Sequence, residues 1–297
     1  MKTLAIETGI SSENRGEEEA LGGLRMSSLE MSSLETIRDY EVPPGHVALW
    51  WLGQLGYIFK SPGGSIIAID PYLTNSCAEG ARRAGLDVDR LIPPPIEPEK
   101  MDVDVIAFTH SHGDHCDPET ILRHRSAGRK TRFVAPGETV EKLLGLGITQ
   151  DEVLMTWPNK EYRFGDLRLK STFAIPFWSD DLTHIGYLIF IDNGPTIYLT
   201  GDTDYHDVLA YIADYKPDIM ITVINGTFRN LGPNEAVQLT AKINPKIVIP
   251  CHYDLFPDNS LDPRIFRAFL HVSGMSNKYV VLEHGKAFLY PASGITS

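Results

Sequence analysis

The segment Thr109-His110-Ser111-His112-Gly113-Asp114-His115-Cys116-Asp117 crowds three imidazoles and two carboxylates into one turn. It follows Val103-Asp104-Val105-Ile106-Ala107-Phe108, whose β-branched and aromatic content reads as a buried strand. The cluster is therefore expected at the C-terminal end of a strand, where open sheets place their ligand crevices. Clustered polar groups without partners are costly, and an ordinary loop has no need of His-x-His-x-Asp-His, so the turn reads as a metal site. Other strand ends must then converge on it to complete the ligand set.

The 297 residues suffice for one large domain or two modest ones, and 42% apolar content is normal for a globular core. The net charge of −12 weighs against nucleic acid and anionic membranes as partners and leaves a small molecule as the expected one. Cys77, Cys116 and Cys251 form no Cys-x-x-Cys pair, which suggests neither a disulfide framework nor a thiolate metal site. Leu4-Ala5-Ile6 is too short for a signal-peptide core, and no apolar run approaches the roughly 18 residues needed to span a bilayer. A cytoplasmic location is the expectation.

Residues 1–43 read as an acidic, partly helical arm, with Glu17-Glu18-Glu19 and the tandem pentads Met26-Ser27-Ser28-Leu29-Glu30 and Met31-Ser32-Ser33-Leu34-Glu35. Residues 44–297 read as the catalytic domain. Strands are expected at 47–52, 57–60, 65–69, 103–108, 167–174, 185–191, 196–199, 218–223 and 246–249. Helices are expected at 118–124, 138–146, 208–214, 235–243 and 264–272. Hairpins mixed with strand-helix-strand units make an α/β protein of two mixed sheets, each covered by helices, a better fit than one doubly wound sheet.

A two-metal hydrolytic site needs about six or seven nitrogen and oxygen ligands. Two later strand ends offer candidates: Thr200-Gly201-Asp202-Thr203-Asp204 after Thr196–Leu199, and Pro250-Cys251-His252-Tyr253-Asp254 after Lys246–Ile249. Taken singly, Asp202 reads equally as a turn former and His252 as a rim residue. With the first cluster they form a pattern.

That pattern, His110-Ser111-His112-Gly113-Asp114-His115, then Gly201-Asp202-Thr203, then His252, resembles the metallo-β-lactamase superfamily over residues 44–290. Within it, Val47-Ala48-Leu49-Trp50-Trp51-Leu52-Gly53, Ile69-Asp70-Pro71, Asn234-Glu235-Ala236 and Ile249–Asp254 are most similar to the L-ascorbate-6-phosphate lactonase branch. The resemblance implies a four-layer αββα sandwich with one or two divalent ions, zinc or manganese, between the strand ends. It implies His110 and His112 on the first metal, Asp114, His115 and His252 on the second, Asp202 bridging, and Asp70 orienting the ligand loop. It also implies a homo-oligomer.

One departure stands out. The family places a further histidine shortly before the strand leading to the bridging aspartate, and near Trp178 and Ser179 there is none. His184 is the substitute considered: the turn Asp192-Asn193-Gly194-Pro195 makes a hairpin that sets it within about a residue of facing Asp202. It reads either as a site residue (replacement ligand, proton donor or substrate contact) or as a satisfied hairpin-end histidine. Asp180 and Asp181 are weaker substitutes. Trp178, Arg229 and Tyr253 are the expected substrate contacts, Arg229 for an anionic group. The implied chemistry is attack by water activated on the metal, with Asp114 or His184 moving the proton, to open a small sugar-derived lactone or a similar carbonyl compound. The alternatives are a phosphodiesterase of the same fold, or a noncatalytic binding protein with a degraded metal site.

Overall fold

Alternation along strand β1, Val47–Gly53, sets how the layers stack. Val47, Leu49 and Trp51 join one hydrophobic cluster, while Ala48, Trp50 and Leu52 join another. A strand buried on both faces belongs to a sheet covered on both sides. The computed structural model describes residues 34–176 and 182–291, all within one compact unit.

The first sheet holds β1, β2 (Gly56–Lys60), β3 (Ile66–Ile69), β4 (Val105–Ala107), β5 (Arg132–Ala135), β6 (Val153–Met155) and β13 (Ala287–Tyr290), in the order β13-β1-β2-β3-β4-β5-β6. It is antiparallel from β13 to β3 and parallel from β3 to β6. The second holds β7 (Glu161–Phe164), β8 (Leu167–Phe173), β9 (Ile185–Ile191), β10 (Thr196–Leu199), β11 (Ile219–Val223) and β12 (Ile247–Cys251), in the order β12-β11-β10-β9-β8-β7. Its β7 to β10 are antiparallel and β10 to β12 parallel.

The larger cluster fills the space between the sheets: Leu49, Tyr57 and Ile67 meet Leu169, Tyr187, Ile197 and Ile221. The other lies between the first sheet and helices α2 (Pro118–Ser126) and α3 (Gly137–Gly145), which contribute Ile121 and Leu143. Helices α4 (Pro233–Ile243) and α5 (Pro263–Val272) pack Leu239, Ile243, Phe266 and Leu270 onto the second sheet. This is the four-layer arrangement of two mixed sheets flanked by helices expected from the sequence. A short helix α1 (Cys77–Arg83), β5, β6, β7 and β13 were not foreseen, and the helix expected at 208–214 is a 3-10 helix, Asp207–Tyr215.

The arm boundary moves. Leu34 and Ile37, on the 3-10 helix Leu34–Asp39, and Val42 are buried in the outer cluster of the first sheet. The buried Lys60 ammonium donates to the carbonyls of Ile37 (2.8 Å) and Arg38 (2.6 Å), and Arg38 pairs with Asp104 at 2.8 Å. This stretch, assigned to the arm from its serine-rich surroundings, therefore belongs to the domain. Among the described residues, no helix is long and apolar enough to cross a membrane.

Candidate metal centre

The ligand turn is clamped from both ends. Asp117, its last residue, caps α2 by accepting from the backbone of Glu119 and Thr120, both at 3.1 Å, and Pro118 fits the first helical position. Lys142, on α3, donates to the Ser111 carbonyl at 2.6 Å. The turn closes on itself through Cys116 N–H to the His112 carbonyl, 2.8 Å.

Four further chain segments meet it. Asp70 follows β3, Asp202 follows β10 and His252 follows β12, all at strand C-terminal ends, while His184 directly precedes β9. The β9–β10 register pairs Tyr187 with Leu199, and its continuation sets His184 opposite Asp202. Glycines permit that approach: a Cβ on Gly186 would lie 2.6 Å from the Leu199 and Thr200 carbonyl oxygens, and one on Gly201 (φ +70°) would lie 2.3 Å from that of Ile185.

The side chains form three groups with convergent ligand atoms: His110, His112 and His184; His115, Asp202 and His252; and Asp70, His110 and His115, which shares a histidine with each of the others. In the first, His110 Nε2 and His112 Nδ1 are 2.9 Å apart, and the His184 ring centroid is 4.0 Å from that of His110. His184 thus stands with His110 and His112, with its ligand atom within reach of theirs. Trp178, Asp180 and Asp181 lie outside the described residues.

In the second group, His252 Nε2 is 3.1 Å and His115 Nε2 3.6 Å from Asp202 Oδ1. These three atoms are buried, and none makes a hydrogen bond of acceptable geometry. Buried polar atoms are normally satisfied, so three that converge without mutual hydrogen bonds are suited to a cation. The residues fit a divalent ion on that ground, and the imidazole and carboxylate donors suit zinc-like ions. The electrostatics agree. Burial opposes charge on His115, but the carboxylates of Asp202, Asp114 and Asp70 outweigh it and raise its pKa to about 10. Burial likewise opposes charge on Asp202, yet His252 and His115 hold its pKa well below the usual carboxylate value. His110 is held neutral by burial and by the neighbouring histidines.

The supporting shell is only partly the one expected. Asp70 Oδ2 accepts from His115 Nδ1 at 2.8 Å, and its carboxylate also accepts from the Thr109 backbone (2.8 Å) and hydroxyl (2.5 Å), which is the loop-orienting position foreseen for it. Asn230 Nδ2 donates to Asp202 Oδ2 at 2.8 Å, which leaves Oδ1 as the oxygen without a hydrogen bond. Asp114 stands beside the second group, 3.6 Å from His115 Nε2, with Oδ2 receiving the Gln54 amide at 3.3 Å; that amide also meets His252 Nδ1 at 3.4 Å. Gln54 and Asn230 were missed. Gln54 sits in a Gly-Gln-Leu-Gly turn and Asn230 in a polar loop, and nothing in either local pattern marks an amide as facing a carboxylate.

The groups open into a pocket of about 740 Å³ lined at one end by His112, Asp114, His184 and Asp202, and elsewhere by residues including Phe228, Arg229 and Phe256. Arg229 is at the pocket as expected, but Asp204 engages its guanidinium at 3.3 and 3.0 Å. Tyr253 is corrected: it is only 2% exposed, stacks on Trp51 at 4.1 Å and donates its hydroxyl to the Leu282 carbonyl, so it supports the floor and does not line the mouth. Gln54, Asp70, Phe228, Arg229 and His252 all take left-handed φ between 45° and 62°. Such strain costs on the order of 1–3 kcal/mol per residue and gathers at functional sites.

The comparisons with known proteins agree with this geometry. The profile of the Beta-lactamase superfamily domain matches residues 48–252, more than half of the chain. A UPF0173 metal-dependent hydrolase of Myxococcus xanthus is 30% identical over 253 residues, 81% of this chain and 82% of that protein. Another, from Thermodesulfovibrio yellowstonii, is 29% identical over 228 residues, 72% of this chain and 80% of that one. Among solved structures, Igni18, a novel metallo hydrolase from Ignicoccus hospitalis, is similar with a TM-score of 0.67 at 23% identity, covering 84% of this chain and 100% of that one. An isothiocyanate hydrolase from Delia radicum gut bacteria has a TM-score of 0.65 at 18% identity, covering 81% and 98%. With its two-sheet sandwich and convergent histidines and aspartates, the chain belongs to the metallo-β-lactamase superfamily and, within it, to the UPF0173 metal-dependent hydrolases.

Proposed function

We propose that this protein hydrolyses a small lactone or ester. The observation that carries the reading is the meeting of His115 Nε2, Asp202 Oδ1 and His252 Nε2, buried and without hydrogen bonds, with Asp202 itself lining a pocket beside Asp114, His112 and His184. These three residues would hold a divalent ion, which would supply an activated water and polarisation of the carbonyl. Asp114, facing the pocket and steadied by Gln54, takes a proton from the attacking water and returns it to the leaving oxygen as the acyl C–O bond breaks. His184 belongs with His110 and His112 and serves as a ligand in place of the family histidine, so the proton work falls to Asp114. The groups together hold five imidazoles against the two carboxylates of Asp70 and Asp202, a nitrogen-rich set that favours zinc over manganese. The similarity of Val47–Gly53, Ile69-Asp70-Pro71 and Ile249–Asp254 to the lactonase branch supports the carbonyl substrate.

The reading is tested by metal analysis of the purified protein, followed by zinc-loaded assays on a panel of lactones, esters and phosphodiesters. We expect bound zinc and turnover of lactones or esters that Asp202→Ala abolishes. A metal-free protein with no hydrolysis on reloading, or turnover of phosphodiesters alone, overturns it.

A further inference from the structure

Away from the ion-binding end, the pocket is built for carbon. Part of its wall comes from a hydrophobic cluster separate from both sheet cores: Tyr72, Val88, Leu255 and Phe256, with Cys77 and Ala81 packed against it. Of these, Cys77, Ala81, Val88 and Phe256 face the pocket. The cluster is pinned across the chain by Leu91 N–H to the Leu255 carbonyl (2.8 Å) and by Asp87 N–H to Asp258 Oδ2 (2.7 Å), so the wall is preformed. Ile175, Pro176 and Phe228 extend the apolar lining. Phe228 is 59% exposed on left-handed backbone, φ +52°. A bulky aromatic rarely accepts that conformation, and an exposed one has no core packing to compensate it.

Charge points the same way. Arg229 is the sole cation among the described lining residues, and Asp204 already receives it through two hydrogen bonds. A negative group on the body of a substrate would meet mostly apolar carbon, the Asp204 carboxylate and a guanidinium whose charge Asp204 already offsets. Burying a charge without a partner is strongly unfavourable.

We infer that the substrate is a neutral ester or lactone with an apolar alkyl or aryl body, held by Phe228 and the Val88–Phe256 wall, and not an anionic sugar derivative. This rests on the carbonyl hydrolysis proposed above. The probes are two esters matched in leaving group and chain length, 4-nitrophenyl hexanoate and mono-4-nitrophenyl adipate, with the corresponding uncleavable anilides for direct binding by calorimetry. The hexanoate is expected to have a kcat/KM at least about tenfold above that of the adipate, and hexananilide to bind correspondingly tighter than adipic acid monoanilide. Phe228→Ala should raise KM for the hexanoate several-fold, more than for 4-nitrophenyl acetate, and Asp204→Asn should narrow the preference by releasing Arg229. Equal or better use of the adipate, with equal anilide affinities, overturns the inference. If neither ester is cleaved while hexananilide still binds preferentially, the apolar pocket stands and the carbonyl-hydrolase reading fails.

Discussion

Asp70 and His115 form a fully buried pair in which His115 Nδ1–H donates to Asp70 Oδ2 at 2.8 Å, so Nε2 is the ring nitrogen that faces Asp202 and His252. The carboxylate that does this also accepts twice from Thr109, which fixes the start of the ligand turn. Outer-shell carboxylates typically set metal affinity by about 10–100-fold. Asp70→Asn retains a residue that tolerates the left-handed φ of 45° but has one acceptor oxygen for three donors. Zinc affinity measured by chelator competition should fall by about 10–100-fold; an unchanged affinity would show that Asp70 serves the fold alone.

Chelation should reach stability as well as activity. His115, Asp202 and His252 follow β4, β10 and β12, so an ion held by them would be a ligand that binds only the folded chain, and its removal would withdraw that stabilisation. At a free metal concentration about 100 times the dissociation constant the stabilisation is about 2.7 kcal/mol. For a domain of this size each kcal/mol corresponds to roughly 2–4 °C. Thermal unfolding should therefore shift down by several degrees in EDTA and recover on adding zinc. The same scan on Asp202→Ala should show little response to either treatment; a full response there would place the ion elsewhere.

Asn230 divides the work of Asp202. Its amide occupies Oδ2 and leaves Oδ1 to face His115 and His252. Hydrogen bonds to charged groups contribute roughly 1.5–3 kcal/mol. Asn230→Ala should lower zinc affinity or kcat/KM by about tenfold or more while leaving circular dichroism unchanged. Asn230→Asp should be worse than alanine, because it sets a second carboxylate against the first. If aspartate restores what alanine loses, the amide is not acting as a donor to Asp202.

The readable and unreadable parts of this chain differ for physical reasons. The His110–His115 turn and the Asp202 and His252 strand ends could be read because metal chemistry restricts residue type and spacing, and their strands carry unbroken apolar runs. His184 could be placed because hairpin register is local arithmetic once the Asp192–Pro195 turn is recognised. Gln54, Asn230 and Asp204 could not, since their roles depend on contacts between segments far apart in sequence. Tyr253 misled because its place next to His252 says nothing about direction: the chain turns at His252, φ +58°, and sends the ring into the core against Trp51. Strands β6 and β7 are short and half-exposed, without the apolar run that marks a buried strand. Leu34 and Ile37 were read with the arm because an apolar stripe does not say what it packs against; the bonds from Lys60 to the Ile37 and Arg38 carbonyls tie this stretch to the first sheet.

His124 gives a pH dependence remote from the metal. It is buried on α2, its Nε2 lies 2.8 Å from Thr131 Oγ1, and burial lowers its pKa below the ordinary 6.5. A base whose folded pKa is depressed contributes stability above its unfolded pKa, and that contribution is lost as pH falls, because the unfolded chain takes up the proton first. The loss begins near pH 6.5 and continues down to the folded pKa; the surface carboxylates with lowered pKa, such as Asp102 and Glu99, act in the same direction but at lower pH. The margin by which the wild type exceeds His124→Gln in urea unfolding should therefore shrink between pH 7.5 and 5.5, by up to about 1.4 kcal/mol, since one pH unit of that window lies below 6.5. A margin that holds constant would mean that folding leaves the His124 pKa unshifted, and one that widens as pH falls that folding favours its protonated form; either overturns the prediction.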